Sequence, residues 1–151
     1  MAQNTVQFEL VGARELARMM ESLPRKMSGP VVRKALREGG KVILAAAREK
    51  APVGETGNLK KSMSPGRGIR VRTYRRIGVT VAIVGPSWPL GSHASWIEFG
   101  TAMRKTKDKK KRGRVSAQPF LRPAFDANVG RAQRIIESIM ASGLKAAVAR
   151  K

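Results

Sequence analysis

The chain has 151 residues, enough for one domain with a buried core, and its 42% hydrophobic content is globular rather than disordered. With no cysteine it can form neither a disulfide framework nor a thiolate metal site. Thirty-one Lys and Arg against ten Asp and Glu give a formal charge of +21, so the chain repels itself and favours an anionic partner, either nucleic acid or an acidic protein surface.

Val6, Phe8 and Leu10 alternate with Gln7 and Glu9, the pattern of a half-buried strand ending at Gly12. Leu16, Met19, Met20 and Leu23 recur at helical spacing, and Pro24 stops that short helix. Ser28 and Pro30 predict the start of a longer helix running to about Ala51, with Val32, Ala35, Leu36, Gly39, Val42, Ile43 and Ala46 as its inward stripe. A turn-rich stretch follows Pro52, in which Thr56 is positioned to cap a short helical turn carrying Leu59.

Ile69 and Val71 alternate with Arg70 and Arg72, and Ile77, Val79, Val81 and Ile83 alternate with Gly78, Thr80, Ala82 and Val84. The link Tyr74-Arg75-Arg76 is short enough for an antiparallel hairpin. Trp88 stands in a loop between Pro86 and Pro89, and residues 94–99 fit a short helix or a bent strand equally well. Residues 104–114 hold eight Lys or Arg, a single acid and no aliphatic side chain, so a mobile loop is expected there. A final helix is predicted from about Pro123, with Phe125, Val129, Ala132, Ile136, Met140, Gly143 and Ala147 on one face.

Strands and helices are segregated rather than alternating. The expected fold is therefore α+β: one domain over 1–151, a small mostly antiparallel sheet with two or three long helices on one face, and a basic loop inserted at about 102–117. No internal repeat is present. The longest aliphatic runs are far too short to span a bilayer, and the first residues lack the basic start and apolar stretch of a signal peptide. Synthesis in the cytoplasm is the expectation.

Catalytic constellations are missing from the sequence. His93 is the single histidine, and its neighbours Ser92 and Ser95 do not make a triad, whose members converge from separate elements. The ten acids are scattered, where metal-dependent chemistry needs clustered carboxylates. Gly54-Glu55-Thr56-Gly57 lacks the Gly-Lys-Ser/Thr ending of a phosphate loop and follows a helix instead of a strand, so it reads as a turn. No cofactor and no enzymatic activity are expected. Glu98 stands out because it lies among Trp96, Ile97 and Phe99, where a solvated carboxylate is unexpected; a buried or interface Glu paired with Arg or backbone N–H explains it best.

The basic residues carry more information. Arg33, Arg37 and Lys41 recur at i, i+4 spacing, and a partner would relieve their repulsion. Arg104, Lys105, Lys107, Lys109, Lys110, Lys111, Arg112 and Arg114 could track phosphates with strong salt dependence, or form a solvated loop that orders on assembly against an acidic partner. No aromatic is interleaved among them, which argues against base stacking. A basic nucleic-acid-binding protein, ribosomal-like or accessory to DNA packaging, is the alternative that charge alone suggests.

Three segments then occur in order. Residues 51–62 contain Pro52, Gly54, Thr56, Gly57, Leu59 and Ser62 after a helix end; residues 96–101 read Trp-Ile-Glu-Phe-Gly-Thr; residues 118–125 read Gln-Pro-Phe-Leu-Arg-Pro-Ala-Phe. Together they resemble the neck, head–tail joining or tail-completion morphogenesis proteins of long-tailed double-stranded DNA bacteriophages. The resemblance implies a non-enzymatic virion protein that forms a homo-oligomeric ring between connector or head-closure proteins and the tail terminator or tail tube. Six copies would match tail symmetry and twelve a connector. It implies subunit or partner contacts through Trp96, Glu98, Phe99, Gly100, Thr101, Pro119, Phe120 and Arg122, with the basic loop reaching a neighbouring ring or packaged DNA. The basic insertion between Thr101 and Gln118 departs from the family's usual pattern, as does Ser95-Trp96 where a Tyr-containing segment is common.

Overall fold

A computed structural model of the chain describes residues 25–74, 76, 78–103 and 113–149. The strand expected over 6–10, the helix expected over 16–23, Ile77 and the basic tract over 104–112 lie outside the described residues. The elements in order are α1 (Arg25–Lys50), α2 (Asn58–Ser62), β1 (Ile69–Tyr74), β2 (Val79–Val84), α3 (Ala94–Phe99) and α4 (Leu121–Val148). The α+β expectation holds, and residues 94–99 are resolved as a helix.

The two strands form the expected antiparallel hairpin, in register from Ile69↔Val84 to Tyr74↔Val79. Gly85 N–H extends the ladder by donating to Gly68 C=O at 2.9 Å. Ile69 is buried and Val71 half-buried, with Thr80, Ala82 and Val84 beside them on the inner face. Val79, Val81 and Ile83 of β2 point outward.

Helix α1 is the middle layer, because it packs against the hairpin on one side and α4 on the other. Two adjacent glycines permit this. A Cβ at Gly39 would lie 2.6 Å from Ile136 Cγ1 and 3.1 Å from Ala132 C=O, whereas one at Gly40 would meet Val84 Cγ2 at 3.1 Å and Ile69 Cγ2 at 3.4 Å. Each glycine admits one neighbouring layer. Gly39 faces Ile136 and Gly143 faces Val31, so the two long helices run antiparallel.

This two-sided burial corrects the single inward stripe expected for α1. Gly40, Leu44, Ala47 and Ala51 are buried as well as Ala35 and Gly39. Two helix starts also move. Helix α1 is already formed at Arg25, the first described residue, and carries Pro30 inside it, so Pro30 is not its first turn; the cost is one missing N–H in the ladder. Helix α4 begins at Leu121, two residues before Pro123, because its first donors find an acceptor elsewhere in the chain.

One core cluster lies at the junction of these elements: Leu44 and Ala47 from α1, Ala51 just after it, Leu59 and Met63 around α2, Ile69, Ala94, and Phe120 and Ala124 at the head of α4. Phe120, Leu44 and Met63 are its largest fully buried side chains. Among the described residues no helix is long and apolar enough to cross a membrane.

Candidate functional site

The three sequence motifs converge on this cluster, each through a different device. In the first, Gly57 holds φ 59°, a left-handed conformation that favours glycine, and its N–H donates to Gly54 C=O at 3.0 Å. Gly57, and not Thr56, is the N-cap of α2; Thr56 Oγ1 still accepts from Asn58 N–H at 3.4 Å, and Thr56 C=O accepts from Lys61 Nζ at 3.0 Å. The turn drives Leu59 into the core and leaves Val53 exposed beside Pro52. Ser62, fully buried, donates to Leu59 C=O at 2.6 Å, while its own C=O accepts from Ser87 Oγ at 3.0 Å. The first motif thereby holds the loop that displays Trp88 to solvent.

The second and third motifs are one device. The Glu98 carboxylate, buried at 5% exposure, accepts three backbone N–H groups: Phe120 and Leu121 on Oε2 at 2.8 and 2.9 Å, and Arg122 on Oε1 at 3.0 Å. A helix leaves the N–H groups of its first turn without partners, and Phe120 at the N-cap has no side-chain acceptor to offer. Glu98, over twenty residues earlier, supplies the missing acceptor. Pro123 has no N–H to satisfy, and Ala124 N–H makes the first helical bond, to Phe120 C=O at 3.4 Å. The start of α4 is thus completely satisfied, and the anionic charge sits where the helix dipole favours it. The partner expected for Glu98 is therefore backbone N–H rather than Arg.

Gly100 and Thr101 precede the basic residues in sequence and are held against Val115 and Ala117, which follow them. Gly100 has φ 72° and ψ −179°, a conformation essentially restricted to glycine, and a Cβ there would lie 3.0 Å from both Val115 C=O and Ala117 N. Thr101 N–H donates to Val115 C=O at 2.9 Å, and Val115 N–H donates back to Thr101 Oγ1 at 3.0 Å. Gln118 N–H then donates to Ile97 C=O at 2.7 Å. Thr101 and Val115, on either side of the basic residues in sequence, are thus bonded to each other. Val115 was not legible as a site residue, since a lone valine after a basic tract carries no signal.

Of the expected contact residues, Glu98 and Phe120 are buried in the interior. Phe99 is 79% exposed, Trp96 is exposed, Pro119 and Arg122 are on the surface, and Gly100 and Thr101 are half-buried. Phe99, Thr101, Arg114, Val115 and Ala117 line an open depression of about 350 Å³. Arg33, Lys34, Arg37, Lys41 and Arg48 are exposed on α1, with Lys41 paired to Glu38 at 2.7 Å. His93 lies at the N-cap of α3, where its C=O accepts from Trp96 N–H at 3.1 Å. Among the described residues no three His, Asp or Glu side chains lie together as a metal site would need.

What these devices define is a scaffold: a small α+β protein whose motif residues fix turns, a helix start and the pairing of Thr101 with Val115. Residues 14–100 match the family described as "Bacteriophage HK97-gp10, putative tail-component", and the chain belongs to that HK97-gp10-like family. The family is one of structural components of the phage tail, which is not an enzyme type, and it implies a virion location among other virion proteins. The matched stretch takes in the turn motif and Glu98 but ends before the segment that Glu98 caps. Searches of curated proteins and of solved structures matched nothing.

Proposed function

We propose that the chain is a subunit of the phage neck, forming a homo-oligomeric ring that joins the DNA-filled head, through connector or head-closure proteins, to the tail terminator or tail tube. The observation that carries this reading is the placement of Phe99. It stands 79% exposed between buried Glu98 and glycine-locked Gly100, so a large apolar side chain is presented to solvent by a rigid frame. Burying such a side chain is worth about 2 kcal/mol, and the frame has already met the ordering cost of presenting it.

Trp96, Phe99, Gly100, Thr101, Pro119 and Arg122 form the subunit contact, with Glu98 and Phe120 beneath holding them in place. The ring has six copies, in keeping with tail symmetry; twelve would match a connector. The basic residues over 104–114 extend to the adjoining ring or to DNA on the channel axis, because rings of such cationic chains need acidic surfaces or packaged DNA beside them.

Native mass spectrometry and electron microscopy of the purified chain test this directly. Rings, or addition to a tail end, are expected from the wild type, and Phe99→Ser should abolish them while leaving the folded protomer intact. A wild-type monomer that instead binds nucleic acid tightly would overturn the reading in favour of the nucleic-acid-binding alternative.

A further inference from the structure

The hairpin's outer face has two chemically distinct rows. Along β1 lie Arg70, Arg72 and Tyr74; directly opposite along β2 lie Ile83, Val81 and Val79. The three aliphatic residues are 37–44% exposed, and Tyr74 is 46% exposed. Arg70 and Arg72 are exposed too, and Arg76 follows them in the turn. The inner face is covered by α1, so the outer face is the side turned away from the two long helices. Between Glu55 and Glu98 the sequence has no acid at all, so neither strand nor its flanks supply a counter-ion for these arginines.

We propose that this face docks an acidic amphipathic helix of another virion protein. The proposal is independent of the ring contact at Phe99. Residues on one face of a strand are about 6.7 Å apart and adjacent strands about 4.8 Å apart, so the face offers a cationic row beside an apolar row at fixed separation. A helix with carboxylates at i and i+4, spaced by about 6 Å, matches Arg70 and Arg72, and its flanking aliphatic stripe covers Val81 and Ile83. Nucleic acid fits less well, because the β-branched row has nothing to offer a phosphate or a base edge. A second copy laid face to face would bring a second set of arginines, also without local carboxylates, into the same interface and so supplies no counter-ion.

The test titrates full-length protein with a synthetic amphipathic helical peptide bearing Glu at i and i+4 beside an Ile/Leu/Val stripe. A Lys-for-Glu twin and a DNA duplex of random sequence run in parallel. The Glu peptide should bind saturably and slow amide exchange over residues 69–84. The double variant Val79→Thr/Val81→Thr keeps the β-branched shape and should weaken the peptide on the order of tenfold while leaving duplex binding unchanged. Arg70→Gln/Arg72→Gln should weaken the Glu peptide similarly and leave the weak Lys twin unaffected. Peptide binding indifferent to the Val→Thr change would overturn the proposal, since general charge attraction would then explain it. Stronger protection of 69–84 by the duplex would assign the face to nucleic acid. Self-association abolished by the same Val→Thr variant would assign it to a second copy.

Discussion

The Glu98 carboxylate lies 2.8 Å from the backbone nitrogen of Phe120, across a chain separation that contains the whole basic excursion. One side chain therefore caps the start of the closing helix from a distant part of the sequence.

Removing that acceptor should be costly. Glu98→Ala leaves three N–H groups without partners at a buried helix end, with an expected loss of about 2–4 kcal/mol. Glu98→Gln keeps one acceptor oxygen but turns donors toward donors, and should lose about 1–2 kcal/mol. Urea denaturation monitored by circular dichroism orders the three proteins; equal midpoints would contradict the capping role.

Glycines in the two long helices should respond in opposite directions. At Gly39 a new methyl group would press on Ile136 and the Ala132 carbonyl, so Gly39→Ala should cost about 1–3 kcal/mol despite its better helix propensity. Gly130 has nothing within 4 Å of its missing Cβ, so Gly130→Ala should stabilise α4 by roughly 0.5–1 kcal/mol. Thermal denaturation reads both signs.

Gly100→Ala combines a disfavoured backbone conformation with crowding against Val115 and Ala117, for an expected loss of about 1–3 kcal/mol. The local readout is the Thr101 amide, bonded to Val115 C=O at 2.9 Å, which should exchange faster in the variant.

Replacing residues 104–112 with a short Gly/Ser segment should change stability by no more than about 0.6 kcal/mol, because loop length enters only logarithmically and the base is already closed. If these cations follow DNA, the variant's duplex affinity should depend less steeply on salt. An unchanged salt slope, with head-to-tail joining intact, would show that the tract is not a functional contact.

Phe99→Ser should leave the unfolding midpoint within about 0.5 kcal/mol of wild type, as expected for a side chain so exposed. Loss of stability on that scale or beyond would mean Phe99 supports the protomer rather than its assembly.

Much of the architecture was legible from periodicity. The hairpin followed from two alternating runs, and the long helices from their apolar spacing, because both signals are local. The inward stripe of α1 was only half legible: a helix covered on two sides no longer obeys a one-face pattern, and Gly39-Gly40 reads as a weakness until both neighbouring layers are seen. The outward turn of Val79, Val81 and Ile83 was hidden for a related reason, since both faces of β2 carry small or branched residues and alternation alone does not say which is buried. Glu98 was conspicuous in sequence because it sits among apolar residues. Its three partners were not, because backbone groups carry no sequence label and the distance between motifs is set by folding.

The mutual hydrogen bonds of Thr101 and Val115 join the chain to itself at the two ends of the basic stretch. The paired residues of the hairpin and the acceptor at the start of α4 all lie outside that stretch. A lineage could lengthen, shorten or recharge that excursion to suit a new neighbour while inheriting the rest of the subunit unaltered, much as a fitting is exchanged on a fixed thread.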